Sequence, residues 1–181
     1  MGSGTLWGVE GPQNLDVGKV EVVLQDVVLP MGLTINAITL HGEDVHLEKE
    51  PFQVKMPKVG SMEALILEPN MAAFLNKQAP GGLRDFKVEL KEGKIHVQAS
   101  VMIMKASAVC NLRIQDETTL YVDLESVDVM GVGAKNMVQS QLDKINPVLD
   151  TKDLPLDARL TGYEIADGRL VLRGTISPKT A

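Results

Sequence analysis

The chain has 181 residues, of which 44% are apolar, 23% charged and only 3% aromatic. That length suits one domain with a real core, and the apolar share argues against wholesale disorder. Eighteen basic residues against 24 acidic ones leave a net charge of -6, which argues against duplex nucleic acid and against an anionic membrane held by charge alone.

A single cysteine, Cys110, rules out an intrachain disulfide and leaves the redox compartment open. No apolar run approaches the ~20 residues that span a bilayer, and no secretory signal is visible. Met1-Gly2-Ser3-Gly4-Thr5 looks like a cloning remnant. Residues 1–14 read as a loose tail, 15–178 as one domain, and Pro178 to Ala181 as a fraying end.

In chain order, alternation of apolar and polar residues dominates, which is the strand signature. Val20, Val22 and Leu24 open it, followed by Leu33 and Ile35. His41-Gly42-Glu43-Asp44 reads as a turn before Val45-Leu47 and the Phe52-Val54-Met56 run. Pro69 to Gln78 breaks the period of two and predicts a short helix with Met71, Phe74, Leu75 and Gln78 on one side. Phe86, Val88 and Leu90 then lead to Glu92-Gly93, a hairpin signal.

The clearest strand expectation covers Lys94 to Met104, with Ile95, Val97, Ala99, Val101 and Ile103 on one face. A second run puts Ala106, Ala108, Cys110, Leu112 and Ile114 together, and a third puts Leu120, Val122 and Leu124 together. Ala134 to Ile145 is the longer amphipathic helix, with Ala134, Met137, Val138, Leu142 and Ile145 as its stripe. Asn146-Pro147 stops it. Leu156-Ala158-Leu160 and a second hairpin signal, Asp167-Gly168, close the pattern.

Short turns between adjacent runs imply an antiparallel meander. The alternation changes phase after Leu24, after Ile35 and after Leu124. A one-residue slip would turn the apolar set to the wrong face, and a β-bulge repairs it while bending the strand. Several bulges therefore predict a curled sheet; the alternative is that some shifts mark strand ends.

Groups that carry chemistry are sparse, and no catalytic or metal-binding set and no cofactor motif emerges. His46 and His96 fall on polar phases and read as solvent-facing, and no zinc spacing accompanies them or His41. Cys110 lies on an apolar phase and reads as a small core residue. Ser100 and Ser107 lack a nucleophile-elbow context. The carboxylate pairs Glu43-Asp44 and Asp116-Glu117 read as solvated turns. Gly131-Val132-Gly133, ahead of the longer helix, lacks the third glycine and lysine of phosphate loops, so a flexible helix entry is its plain reading.

Nine methionines against six aromatic residues is unusual, and methionine suits irregular apolar cavities. Val101-Met102-Ile103-Met104 is apolar on both faces of its expected strand, so that end must be covered on both sides or face something greasy. Met71, Phe74, Met137 and Leu142 would supply the cover. An ordinary helix-on-sheet core is the alternative.

Ile145-Asn146-Pro147-Val148-Leu149-Asp150, Leu154-Pro155-Leu156, Arg159 to Glu164 and Asp167 to Gly174 together resemble the C-terminal signature of the LmeA-like phospholipid-binding proteins, once a domain of unknown function. Gly32-Leu33 to Leu47 and Leu67-Glu68-Pro69-Asn70-Met71 resemble its earlier parts, so the resemblance spans most of 17–176. That family is similar to the tubular lipid-binding superfamily. The resemblance implies a bacterial cell-envelope protein, periplasmic or membrane-associated, that binds or transfers phospholipid without catalysis, its native signal or anchor trimmed away. A cytoplasmic location also fits the cysteine count. The expected fold is α+β, mainly β: a strongly curved antiparallel meander sheet packed around one longer amphipathic helix and one short helix, as in tubular lipid-binding proteins.

The candidate lipid-binding residues are Met71, Phe74, Leu75, Met102, Met104, Met137, Val138, Leu142 and Ile145, and Gly131 and Gly133 are headgroup candidates. Expected partners are a phospholipid or other amphiphile and, transiently, a membrane surface. The competing reading is an adaptor of envelope assembly that holds a protein partner in the same groove. An enzyme acting on glycolipids is a third, for which no acid/base pair is visible.

Overall fold

Alternation becomes strand along most of the chain in the computed structural model, which describes residues 14–49, 51–78, 82–128, 134–154 and 156–178. The expectations for residues 1–13 of the N-terminal tail, for 179–181 and for Gly131 and Gly133 lie outside these residues, while Asn14, read as the end of the tail, opens the first strand.

The first sheet holds β1 (Asn14–Val28), β2 (Thr34–Lys49), β4 (Gly60–Leu67), β11 (Arg169–Ser177) and β10 (Asp157–Ala166) in that order, with β3 (Phe52–Lys55) beside the far end of β2. The second holds β5 (Leu83–Lys91), β6 (Lys94–Val101), β7 (Met104–Gln115), β8 (Thr119–Asp128) and the two-residue β9 (Leu149–Asp150). Every pairing is antiparallel. Helix α1 (Glu68–Gln78) links the sheets, and α2 (Ala134–Ile145) follows β8. The fold is therefore α+β and mainly β, as the alternation implied, and the second sheet is a strongly curled half-barrel.

The expected phase shifts have distinct physical origins. Cys110 pairs with Leu124 but Val109 pairs with Ser126, so β8 carries one extra residue at Glu125. Two further bulges, in β5 between Arg84 and Lys87 and in β10 between Leu160 and Gly162, bend their strands likewise. The shifts in β1 and β2 are different: their register is constant from Asn14↔Glu48 to Val28↔Thr34. Both strands change face together beside Asp26, whose φ is 52°.

Where β10 bulges, Gly174 is required. A Cβ there would stand 2.5 Å from the Arg159 carbonyl oxygen, closer than any side chain tolerates.

One expected turn is corrected. His41-Gly42-Glu43-Asp44 lies inside β2, because the long β1 partner keeps it paired and Asp44 (φ 52°) absorbs the irregularity. The turns at Glu92-Gly93 and Asp167-Gly168 stand as read, with Gly93 and Gly168 at φ 74° and 81°.

The two sheets face each other across one apolar core. Met62, Ala64 and Ile66 of β4 and Leu170, Leu172 and Ile176 of β11 form one wall. Val88, Leu90, Ile95, Cys110, Leu112 and Leu120 form the other. Hydrogen bonds from backbone and side chains tie the two halves together. The Leu90 N–H donates to Glu68 Oε1 at 2.7 Å, and the Leu90 carbonyl accepts from Gly168 N at 3.0 Å. The Leu160 N–H reaches the Glu117 carbonyl at 2.6 Å, and the Tyr163 hydroxyl donates to the Leu112 carbonyl at 2.8 Å. Asp116-Glu117 is thus a turn whose backbone joins the sheets, while the Glu117 carboxylate meets Arg159 at 3.1 Å.

Candidate functional site

A half-barrel leaves two open edges, and each helix closes one of them through an asparagine. Asn76 of α1 accepts from Phe86 N at 2.8 Å and donates to Phe86 O at 3.2 Å. Asn146, just after α2, accepts from Val122 N at 2.9 Å and donates to Val122 O at 2.8 Å. A side-chain amide presents one acceptor and two donors, so it satisfies both backbone groups that a neighbouring strand would have paired. The asparagine read as punctuation in Asn146-Pro147 is also a clamp.

Between these helices and the two sheets lies a cavity of about 140 Å³. α1 contributes Met71, Phe74, Leu75 and Gln78; α2 contributes Val138, Gln141, Leu142 and Ile145. The curled sheet contributes a floor running from Leu83 and Phe86 of β5, through Val97 and Ala108, to Leu120 and Val122 of β8. The first sheet supplies Ile35, Ile66, Leu170 and Leu172. Among the described residues, Gln78 and Gln141 bring the cavity's side-chain amides. Gln78 Nε2 donates to the Met31 carbonyl at 3.1 Å, whereas Gln141 Oε1 is shielded from water with no hydrogen-bond partner among the described residues.

Cys110 is 3% exposed and faces this cavity. Burial pushes its thiol up to about 11, so it is inert at neutral pH. Among the described residues, no three His, Cys, Asp or Glu side chains gather as a metal site, and no helix is long and apolar enough to cross a membrane.

The structure brings six of the nine apolar candidates together: Met71, Phe74, Leu75, Val138, Leu142 and Ile145 all line the cavity. Met137 does not; it is half-buried on the flank of α2. Met102 and Met104 do not line the cavity either. The strand expected over Lys94–Met104 ends at Val101, and Met102-Ile103 is a two-residue turn joining β6 to β7. Neither helix covers it: Met102 is 79% exposed and Ile103 fully exposed. The turn was invisible because it contains no Gly, Asn, Asp or Pro, the residues that mark such reversals.

His96 is a smaller correction. It is half-buried, with Nε2 shielded and unpartnered among the described residues. His46 instead pairs with Asp16 on β1. Sequence reasoning passed over Gln141 because a glutamine does not register as part of an apolar stripe. Its position three residues after Val138 and one before Leu142 was the available signal. It also missed the wall from the first sheet, since nothing local says which strands face which.

Fold and cavity define a class: a β-rich protein whose curled sheet and two clamped helices enclose an apolar hollow. The family model described as LmeA-like phospholipid-binding matches residues 16–175, and the chain belongs to that family. No curated protein and no solved structure matches it significantly.

Proposed function

We propose that the protein binds phospholipid non-catalytically by taking acyl-chain carbons into the cavity between the curled sheet and its two helices, and that it carries the lipid within the cell envelope, touching membrane transiently. The observation that carries this reading is the lining. Helices and sheets converge on a hollow whose polar side chains, among the described residues, are two glutamines, in a chain of a phospholipid-binding family.

The physics fits. A cavity of this size lined by aliphatic and aromatic groups stays dry and holds a molecule the size of benzene. Each buried methylene gains about 0.8 kcal/mol. The hollow thus takes a few carbons as it stands. A full acyl chain needs α2 to swing outward, with the Asn146 clamp as its hinge.

Ala108→Leu tests this. Ala108 projects into the cavity opposite α2, so a larger side chain occupies the ligand's volume while filling a void. Uptake of fluorescently labelled phospholipid is expected to fall tenfold or more with the melting temperature held or raised. Unchanged uptake by the folded variant would contradict the location.

A further inference from the structure

The turns of this protein differ in one respect. Glu92-Gly93, Asp116-Glu117 and Asp167-Gly168 cap their hairpins with polar residues or glycine. Met102-Ile103 caps the β6–β7 hairpin with two large apolar residues, exposed by 79% and 100%, and Met104 beside them is 43% exposed. Met102 also has φ 54°, a left-handed conformation that glycine and asparagine adopt readily and methionine does not. Neither solubility nor turn chemistry favours these residues here.

The tip has a direction. Val101 and Met104 close the hairpin, and Leu83, which lines the cavity, pairs with Val101 on the next strand. The concave face continues from Val97 and Ala108 through buried Ala99 and Ala106 toward the turn. The apolar floor of the cavity therefore runs out to the tip. One rung back, Arg84 and Lys105 both sit opposite Ser100, and Lys87 stands further down β5, all three exposed. Asp85 is an acidic neighbour, 4.0 Å from the Arg84 guanidinium, and Asp128 of β8 pairs with Ser107 on the row of Lys87. Arg84 Nη2 also donates to the Met102 carbonyl at 3.4 Å.

We infer that the β6–β7 tip is the membrane-docking element: Met102 and Ile103 enter the acyl region of a phospholipid bilayer while Arg84 and Lys105 lie at headgroup level. Apolar tips ringed by long basic side chains suit this boundary, because the stems tolerate the interface and the charges meet phosphates. Docked this way, the cavity's Leu83 end faces the bilayer, and an acyl chain can pass between the two without crossing water. The inference rests on the cavity being the lipid site.

The double variant Met102→Gly, Ile103→Asn tests it: Met102 has positive φ and Ile103 does not, and a two-residue hairpin of that kind prefers glycine at its first position, so the fold should be at least as stable. Wild type and variant are compared by sedimentation with vesicles of phosphatidylcholine and phosphatidylglycerol, and by uptake of short-chain phosphatidylcholine below its micelle concentration. The expected result is a vesicle affinity at least tenfold weaker in the variant, with equal uptake of the monomeric lipid. Equal vesicle binding by both proteins, or no vesicle binding by wild type, overturns the docking tip and leaves the cavity reading standing. Failure of both proteins to take up monomeric lipid overturns the cavity reading. A wild type that self-associates through the tip, monomeric in the variant with vesicle affinity unchanged, also overturns the docking role.

Discussion

Cys110 and Gln141 look into the same hollow from opposite walls and make opposite demands on it. The thiol is content without water. Its pKa rises from near 9 to about 11 on folding, so the folded protein holds the proton more tightly than the unfolded chain. The stabilisation is complete below pH 9. It is lost as pH climbs from about 9 to about 11, because the unfolded thiol ionises first. At 1.36 kcal/mol per pKa unit, about 2–3 kcal/mol is at stake. Urea unfolding between pH 7 and 11 should show wild type losing more stability than Cys110→Ala over that window, and parallel curves would refute the assignment. Gln141 is the reverse case, a polar oxygen kept from water without a partner among the described residues. Gln141→Leu should stabilise the lipid-free protein by about 1 kcal/mol, since an orphaned buried acceptor costs more than an apolar replacement. Melting of delipidated protein reads this directly; a destabilised variant would mean the amide has a partner. The core character of Cys110 was legible in its strand phase. The role of Gln141 was not, because polarity alone assigns a helix residue to solvent.

At the scale of elements, α2 is held by one residue where it matters. Asn146→Ala leaves both the Val122 N–H and carbonyl without a partner and frees the C-terminal end of α2. A loss of about 1–3 kcal/mol is expected. Hydrogen exchange at Val122 and along α2 should quicken, while β6 and β7 stay protected; uniform exchange across the chain would show that the clamp does not act locally. Both helices were legible almost to the residue. Pro69 and Asn146-Pro147 bounded them, and a period near 3.6 stands out among strands of period two. The bulge at Glu125 was legible as a phase slip. The β6–β7 reversal was not, since Val101-Met102-Ile103-Met104 preserves apolar character straight through a turn. A turn made of apolar residues silences the one local signal for it, and here the silence coincides with the exposed tip.

For the whole molecule, alternation and short turns established antiparallel β structure and curvature. They did not reveal that the chain divides into two sheets. The closing hairpin β10–β11 returns to pair with β4, across about a hundred residues of sequence, and no local pattern encodes so distant a partner. That return completes the cavity, because Leu170 and Leu172 are its far wall. With a net charge of -6, the proposed docking on membrane rests on apolar contact and on the small basic cluster beside the tip.

The most direct measurement is native mass spectrometry of protein purified without detergent. A bound phospholipid is expected at a stoichiometry of one, retained by wild type and depleted in Ala108→Leu. A chain that is always ligand-free, and stays so after incubation with phospholipid vesicles, would contradict the central claim.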